Sequence, residues 1–508
     1  MLRYYITKTC HVVCGIAGLF ALLVATSLDA DADAASDAKL RLVEQTLKDL
    51  LERDAEKDQI IRDLQAQIKD LKAGSRGTTS APAASHGHGH DHGKATGEAR
   101  EATENGALPD LYAVDLGDDA TLKLRGFGIN GAIAVGGSSE TGGALENLQG
   151  GDHDPRQNGF TLQTVDLAFL GSLDPYFDAE ANIAFFLDTE GETVVELEEA
   201  FLRTQPGTLP AGFEIEAGQM FTEFGVYNPE HFHDHAFLDQ PVILSRLFGP
   251  DGSRGPGARV GWQAPTPFHV KLHLGAQNSN GETQPSFRSS DEAFEERPIG
   301  GRAFMERDVD NFDDLTYLGR IETGFDVTDD THVDLGASVL VGPNATGPDA
   351  HTHIAGGDLK VAHDLGNDMW LEWLSEFLYR NYDAEANLAD DLPGDTLRDY
   401  GFYTQLIFGF APDWLAGVRY EYATGSGESV GEFAGRHEDP FRDDRHRVSP
   451  LLTWWFAPTA NLRLQYNYDE ADHLRRKDAH SVWLGAQWAI GAGTAVHPHV
   501  GGPKHHHH

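Results

Sequence analysis

The sequence predicts an all-β fold, a 16-stranded transmembrane antiparallel β-barrel, with a short N-terminal α-helical coiled coil in front of it. Three observations lead to this prediction. Amphipathic, strand-like segments recur from about residue 121 to residue 490, the connections between them alternate between very short and rather long, and a secretion signal precedes them. Together these features are typical of barrels that cross the outer membrane of bacteria.

The composition narrows the choice of partners. The chain of 508 residues carries 80 acidic against 39 basic side chains, which gives a formal net charge of −41. Such an excess of negative charge repels nucleic acid and anionic lipid headgroups. We therefore expect no nucleic-acid partner.

Residues 1–27 have the layout of a cleaved signal peptide. Arg3 and Lys8 precede an apolar stretch over residues 12–24, and small residues follow it. Cys10 and Cys14 lie at the front of that stretch rather than just behind it, so neither a lipid anchor nor a disulfide is expected. No later apolar run reaches the length of about 20 residues that a spanning helix needs. We expect the mature chain to be exported.

Residues 37–72 repeat apolar side chains every three and four positions, which predicts a short heptad coiled coil. The seam consists of Leu40, Val43, Leu47, Leu50, Ile61, Leu64, Ile68 and Leu71, with Asp54 and Lys57 at seam positions in between. Self-association, most simply as a homotrimer, is the expected role. The alternative is a solitary amphipathic helix lying on the barrel.

Residues 73–110 form a flexible linker, because Gly, Ser, Ala, Thr and His offer almost nothing to bury. The run HGHGHDHG inside it carries His86, His88, His90 and His92. Glycines between the histidines would let several imidazoles converge on one soft divalent ion, so we expect weak and exchangeable capture of zinc, copper or nickel. The alternative is a solvated polar tract.

The barrel region, residues 121–490, divides into sixteen predicted strands. Their predicted centres are Gly126, Val165, Asn182, Leu197, Glu216, Val260, Leu274, Arg320, Gly336, Asp358, Ser375, Gln405, Arg419, Leu452, Leu464 and Gly485. Short connections such as SLDP, VTDD and APD alternate with mostly longer ones. Since short turns of such barrels face the periplasm, the even count puts both chain ends there.

Alternation within single strands predicts which side chains face lipid and which face the interior. In residues 462–469, Leu464 and Tyr466 fall on one side, and Arg463 and Gln465 on the other. Trp414, Tyr420, Tyr422, Trp455 and Trp488 fall near strand ends, where aromatic girdles are expected. The predicted pore-lining residues are Glu180, Lys271, Arg320, Glu322, Glu372, Glu376, Arg380, Arg419, Glu421 and Arg463. A soluble β-sandwich or propeller would also alternate, but it needs no outward aromatics opposite charged rows.

The most specific motif, FTEFGVYNPEHFHDHAFLDQP, falls in the third long loop. His231, His233 and His235 at a spacing of two, with Glu230, Asp234 and Asp239 beside them, form a ligand set for a divalent transition metal. In an extended segment the three imidazoles could share one ion, and in a helix only some could. The alternative is a structural loop whose histidines bond the barrel wall. No catalytic residues are predicted, because no nucleophile, base and orienting group occur in a recognisable order.

The run from DPYFDAEANIAFF through VELEEAF, AGQMFTEFGVYNPEHFHDHAFLDQP, LFGPDG and GWQAPTPFHVKLHLGAQ resembles porin-like bacterial proteins described as zinc-regulated outer-membrane receptors, more distantly related to phosphate-selective porins. The resemblance covers roughly residues 165–280. It implies a sixteen-stranded, trimeric channel with a periplasmic N-terminal extension and a connection to metal supply. It also implies that His231, His233, His235 and Asp239 are the functional residues of the loop.

Two features of that group's relatives are missing from the sequence. The predicted inner faces carry no ladder of Arg and Lys, so phosphate selectivity is not expected. No separate plug domain precedes the barrel, so uptake driven by TonB is not expected either.

The last stretch, residues 491–508, ends in four histidines that are either native or the residue of a purification tag.

The sequence thus predicts a passive channel of the bacterial outer membrane for small hydrophilic solutes. The excess of acidic side chains predicted for its interior should favour cations over anions. Its histidine clusters should bind a divalent transition metal, zinc being the expected one, without a required cofactor. The alternative is a substrate-specific, TonB-independent receptor for a metal or a metal chelate. An enzyme is not expected, because no serine and histidine pair of the outer-membrane phospholipase kind occurs at the lipid-facing rim.

Overall fold

The computed structural model describes residues 112–117, 120–389 and 391–492. The predicted signal peptide, coiled coil and linker lie outside the described residues, as do His86, His88, His90 and His92. The same holds for the tail beyond residue 492. The predictions made for those segments stay predictions.

Strand pairing closes the chain into a barrel. The strands are β1 (Tyr112–Gly117), β2 (Ala120–Ser138), β3 (Gly159–Asp174), β4 (Phe177–Leu187), β5 (Thr193–Thr204), β6 (Phe213–Phe221), β7 (Arg254–Gln263), β8 (His269–Asn278), β9 (Leu315–Thr328), β10 (Thr331–Pro343), β11 (His351–Gly366), β12 (Met369–Ala384), β13 (Asp395–Ala411), β14 (Trp414–Ser426), β15 (Arg445–Ala457), β16 (Ala460–Ala471) and β17 (Asp478–Ala492). From β2 onward each strand pairs antiparallel with the next, and β17 pairs with β2. The predicted barrel of sixteen strands is confirmed, and every predicted centre lies in its own strand.

β1 is an additional strand that the sequence did not predict. It pairs with β2 from Leu124 to Ala120, on the edge that β17 follows only as far as Phe127. β1 therefore continues the line of β17 along β2.

Connections alternate around the barrel as expected. One end carries short turns, over residues 175–176, 205–212, 264–268, 329–330, 367–368, 412–413 and 458–459. The other end carries loops 1 to 8, over residues 139–158, 188–192, 222–253, 279–314, 344–350, 385–394, 427–444 and 472–477. Loops 2, 5 and 8 are shorter than the turn over residues 205–212, whereas loops 1, 3, 4 and 7 are long.

Helices in the described part of the chain are short. Helix α1 (Gly143–Leu148) lies in loop 1, α2 (Val242–Phe248) in loop 3 and α3 (Asp291–Glu296) in loop 4. Among the described residues, none of the helices has the length and apolar character needed to cross a membrane.

The faces of the strands alternate between an apolar outside and a largely polar inside. On β16, Leu464 is 49% exposed while Arg463 is 4% exposed. β12 repeats the pattern, with Trp373 and Phe377 outside and Glu376 inside. Because residue parity sets the face of a strand, this alternation matches a cylinder that is apolar outside.

Aromatic side chains form bands near both ends of the outer surface. Trp414 stacks on Trp454 near the short turns, with ring centroids 5.6 Å apart. Tyr422 packs against His446 near the loops, at 4.6 Å. Eight residues separate Trp414 from Tyr422, which at ~3.3 Å per residue and a tilt of ~40° gives an apolar band of about 20 Å. The prediction for Trp455 was wrong, since it faces the interior and its neighbour Trp454 faces outward.

Loop 3 folds into the barrel and gives the interior an apolar core on one side. All residues of α2 are buried. The core contains Phe224, Tyr227, Val242, Ile243, Leu244, Leu247 and Phe248 of loop 3, packed against Leu318, Leu340, Ile354, Leu374, Leu378 and Tyr403 of β9 to β13. The barrel interior is thus not lined by polar groups alone, because this wall supplies an apolar seat for the loop.

Candidate functional site

The entry of loop 3 into the barrel depends on Glu376 of β12. Its Oε1 accepts hydrogen bonds from the backbone N–H groups of Val226 and Tyr227. Gly225, just before them, has a φ of 68°, and a Cβ there would overlap the carboxylate of Glu376. Only glycine fits both the left-handed backbone and this close approach.

Asp239 anchors the other half of loop 3 to strands β14, β15 and β16. Its carboxylate pairs with Arg419 of β14 and Arg447 of β15, the latter at 3.0 Å. It also accepts hydrogen bonds from Gln465 at 2.8 Å and Asn467 at 2.6 Å, both on β16. The side chain is fully buried. The sequence predicted Asp239 as a metal ligand. In the structure its carboxylate meets four donors and anchors loop 3 instead.

His231 lies between two carboxylates of β5. Its Nδ1 is 3.0 Å from Oε2 of Glu198, and its Nε2 is 3.0 Å from Oε2 of Glu199. Burial alone would lower the pKa of His231, but the contacts with the two carboxylates outweigh it and raise that pKa well above its ordinary value. The ligand atoms of His231, Glu199 and Glu180 lie within 4.8 Å of one another.

A β-bulge explains how two successive residues of β5 reach one imidazole. Asn182 of β4 pairs with Glu199 and Ile183 pairs with Leu197, so Glu198 is an extra residue without a partner across the strands. Successive side chains of a regular strand point to opposite faces, and a bulge interrupts that alternation. Glu198 and Glu199 therefore both face loop 3.

His233 is held by the neighbouring part of the wall. Its Nδ1 lies 2.9 Å from Oδ2 of Asp166 on β3, and its backbone carbonyl accepts a hydrogen bond from Gln487 on β17 at 2.6 Å. Its ring stacks parallel to that of His231 with centroids 5.3 Å apart. Asp234 is exposed, with an oxygen 3.8 Å from Nε2 of His233.

His235 points away from the other two histidines. Its ring stacks on Tyr227 with centroids 3.7 Å apart, and its Nε2 is buried without a hydrogen-bond partner. It borders a cavity of about 210 Å³ together with Asp234, Lys360 and Glu372. The residues Phe232–Asp234 form a 3₁₀ turn rather than an extended strand, so the three imidazoles do not gather round one point.

The predicted pore-lining side chains lie on barrel strands and mostly pair within the wall or with loop 3. Arg320 pairs with Asp358 at 2.7 Å, and Arg380 pairs with Asp399 at 2.7 Å. Among the others, Lys271 pairs with Glu214, Glu372 with Lys360, Glu322 with His273, Glu421 with Arg419 and the N–H of Val242, Glu180 with Asn182, and Arg463 with the carbonyl of His235. The interior is therefore a network of paired charges around the loop.

Sequence reasoning missed the wall carboxylates that receive the histidines. Glu198, Glu199 and Asp166 all come from strands read as ordinary alternating segments. The adjacent pair in VELEEAF was the available signal, because in a regular strand one of two successive carboxylates would lie on the apolar outer face at high cost.

Comparison with known proteins yields one sequence relative and several distant folds. No protein-family model matches the chain. An uncharacterized protein of Aquifex aeolicus (strain VF5) is 28% identical over 370 residues, which is 70% of this chain and 74% of that protein.

Three solved outer-membrane barrels illustrate the structural similarity. The channel DcaP of Acinetobacter baumannii has a TM-score of 0.45 and 11% identity, covering 75% of this chain and 100% of that one. The trimer form of OmpT of Vibrio cholerae has a TM-score of 0.44 and 11% identity, over 73% and 100%. The anion-selective porin from Comamonas acidovorans has a TM-score of 0.42 and 10% identity, over 73% and 100%. Similarities of this size carry no inference about what the chain transports or binds.

Proposed function

We propose that this protein is a channel of the bacterial outer membrane that passes small hydrophilic solutes and binds a divalent transition metal, zinc being the expected ion, at loop 3. The observation that carries the proposal is the seating of His231 between Glu198 and Glu199 inside a closed barrel. A ligand-bearing loop held within a cylinder is in the position to narrow the path and to respond to what passes.

The outer surface supports a membrane location. The band between the Trp414–Trp454 pair and the Tyr422–His446 pair approaches the height of about 25 Å expected for the lipid-facing band of outer-membrane barrels. In this arrangement the short turns face the periplasm, and the N-terminal extension predicted from the sequence would lie there too. The predicted coiled coil and the barrel would together favour a homotrimer.

The interior charges favour small hydrophilic solutes and cations over anions. Acidic side chains such as Glu372 and Asp234 border the cavity beside loop 3, with Lys360 as the basic side chain among them. A wall with both signs is wetted readily, and an excess of acid raises the local concentration of cations. Loop 3 would act as the constriction.

The ligand set we favour is His231 with Glu199 and Glu180. One imidazole and two carboxylates suit zinc, which accepts nitrogen and oxygen ligands at ~2.0–2.2 Å. This set differs from the three imidazoles expected from spacing, because His233 is engaged by Asp166 and His235 stacks on Tyr227. The linker histidines would provide a second, looser pool of ligands on the periplasmic side.

Single-channel recording in planar bilayers tests both parts of the proposal. We expect steady, ohmic currents with cation preference, and a reversible fall in current on addition of ZnCl₂. His231→Ala should keep the current and lose the response to zinc, whereas His351→Ala, which changes an exposed histidine on β11, should keep both.

Two results would contradict the proposal in different ways. Absence of steady current from the wild-type protein would reject the channel and favour a receptor that holds one ligand. A full zinc response in His231→Ala would reject the loop 3 metal site and leave the channel standing.

A further inference from the structure

A second group of metal-ligating side chains lies between loop 1, β5 and loop 3. We propose that His153, Glu196 and Asp251 bind one divalent transition-metal ion, at what we call the loop 1 site. Their ligand atoms lie within 4.8 Å of one another. One imidazole nitrogen and two carboxylate oxygens suit Zn²⁺ better than Mg²⁺ or Ca²⁺, which prefer oxygen alone. Small side-chain rotations would bring these atoms to bond lengths of ~2.1 Å.

The imidazole of His153 presents one nitrogen to this group. Its Nδ1 donates a hydrogen bond to the backbone carbonyl of Gln163 at 2.7 Å, so in the neutral ring Nε2 carries the free lone pair. The residue is 6% exposed, and its Nε2 has no hydrogen-bond partner. A backbone carbonyl on the far nitrogen is the usual second contact of a metal-bound histidine. A buried nitrogen without a partner is costly unless a ligand meets it.

The position of His153 depends on a second β-bulge. Ala132 of β2 pairs with Thr164 and Ile133 pairs with Leu162, so Gln163 is an extra residue in β3. The amide of Gln163 donates in turn to the carbonyls of His153 at 2.7 Å and of Leu238 at 3.0 Å. The bulge therefore ties loop 1 to loop 3 and fixes the direction of the imidazole.

The two carboxylates leave oxygen atoms for a cation. Oδ1 of Asp251 is buried without a hydrogen-bond partner, while Arg254 takes one oxygen of Glu196 at 2.6 Å. The carboxylate of Asp251 lies close to those of Glu196 and Asp152, whose negative charges repel it. A divalent cation would relieve this repulsion, since Arg254 offsets only part of the negative charge.

The loop 1 site has room for an ion and is separate from His231. A cavity of about 40 Å³ borders His153 and Asp251, which exceeds the roughly 10–15 Å³ that one water needs. Glu198 stands between the two sites, 3.9 Å from Nε2 of His153 and 3.0 Å from Nδ1 of His231. Each ion would have its own ligands, and the one at the loop 1 site would fasten loop 1 to loop 3.

The test is the zinc stoichiometry of the full-length protein in detergent. The protein is stripped with a chelator and titrated with ZnCl₂ against a chromophoric chelator. His153→Ala should lose one zinc equivalent per chain, and the isosteric Asp251→Asn should lose it or bind it at least tenfold more weakly. Combining His153→Ala with His231→Ala should lose two equivalents. His351→Ala serves as the control for background binding by other histidines.

Heat-modified migration in gel electrophoresis verifies that each variant forms a barrel. Wild-type stoichiometry and affinity in both His153→Ala and Asp251→Asn would overturn the loop 1 site. Loss of one equivalent in each single variant, and of no more than one in the double variant, would overturn its independence from His231. Unchanged binding in His231→Ala, together with loss of one equivalent in His153→Ala, would reject the loop 3 metal site and support the loop 1 site.

Discussion

The Nδ1 atom of His231 lies 3.0 Å from Oε2 of Glu198, the residue that a β-bulge adds to β5. The bulge lets both Glu198 and Glu199 face loop 3, although regular alternation from the outward-facing Leu197 would turn Glu199 outward as well. The orientation of the imidazole therefore depends on an irregularity in the barrel.

The first prediction concerns Glu198 as the residue that orients His231. Glu198→Gln should lower zinc affinity about 10- to 100-fold, as is typical when the outer partner of a metal-bound histidine is changed. Competition titration of the purified protein measures the effect. Glu192→Gln, an exposed carboxylate of loop 2, serves as the control. Equal zinc affinity in Glu198→Gln and wild type would show that the contact does not orient a ligand.

The second prediction concerns the anchor of loop 3. Asp239→Ala leaves Arg419 and Arg447 buried without this counter-charge, so the loop should detach, at a cost of about 3–5 kcal/mol to its seating. Single-channel conductance should rise and the urea midpoint should fall. Asp313→Asn, on the surface of loop 4, should change neither. Wild-type conductance with a lowered midpoint would mean that loop 3 does not limit the current.

The third prediction concerns the glycine at the entry of loop 3. Gly225→Ala puts a Cβ against the carboxylate of Glu376 at a φ of 68°. The left-handed backbone alone costs roughly 1–2 kcal/mol, and the overlap adds to it. Limited proteolysis should then cut loop 3 faster. Gly143→Ala in α1 meets nothing within 4 Å and serves as the matched control. Equal cutting rates would contradict the need for glycine here.

The fourth prediction concerns pH and Asp439 in loop 7. Burial raises the pKa of Asp439 to about 6, although Ser429 and Arg442 oppose the rise. Between roughly pH 4 and 6 the folded protein keeps a proton that the unfolded chain releases, so stability falls as pH rises through this window. The penalty of about 3 kcal/mol is complete above pH 6.

Asp439→Asn stays neutral and should escape this penalty. Its urea midpoint, compared with that of wild type, should therefore improve between pH 4 and pH 7.5. Glu432→Gln, an exposed change in the same loop, should follow wild type at both values. A constant difference between Asp439→Asn and wild type would show that Asp439 ionises normally.

The barrel could be predicted from the sequence because each strand carries its own signal. Alternation such as that of Leu464 and Arg463 identifies a strand and its faces from neighbouring residues alone. Where parity is ambiguous the prediction failed, as in the adjacent pair Trp454 and Trp455. The bulges at Gln163 and Glu198 shift parity within a strand, and only the second has a local sign, the adjacent carboxylates Glu198 and Glu199.

The site could be predicted only in its loop half. The motif around His231 identified the segment that carries the imidazoles, whereas its partners depend on barrel closure. Asp239 looked like a ligand because its arginine partners lie 180 and 208 residues further along the chain. The residues close to Asp239 in the sequence do not indicate contacts with residues so far along the chain.

The partners of Asp239 also constrain the order of assembly. Arg419, Arg447 and Asn467 follow it by 180, 208 and 228 residues. A chain that has formed only its early strands holds this carboxylate without a counter-charge, and such a group stays in water rather than entering a half-built cylinder. Insertion of loop 3 must therefore await the formation of β14 to β16. An inserted loop 3 is then a sign that the barrel is complete.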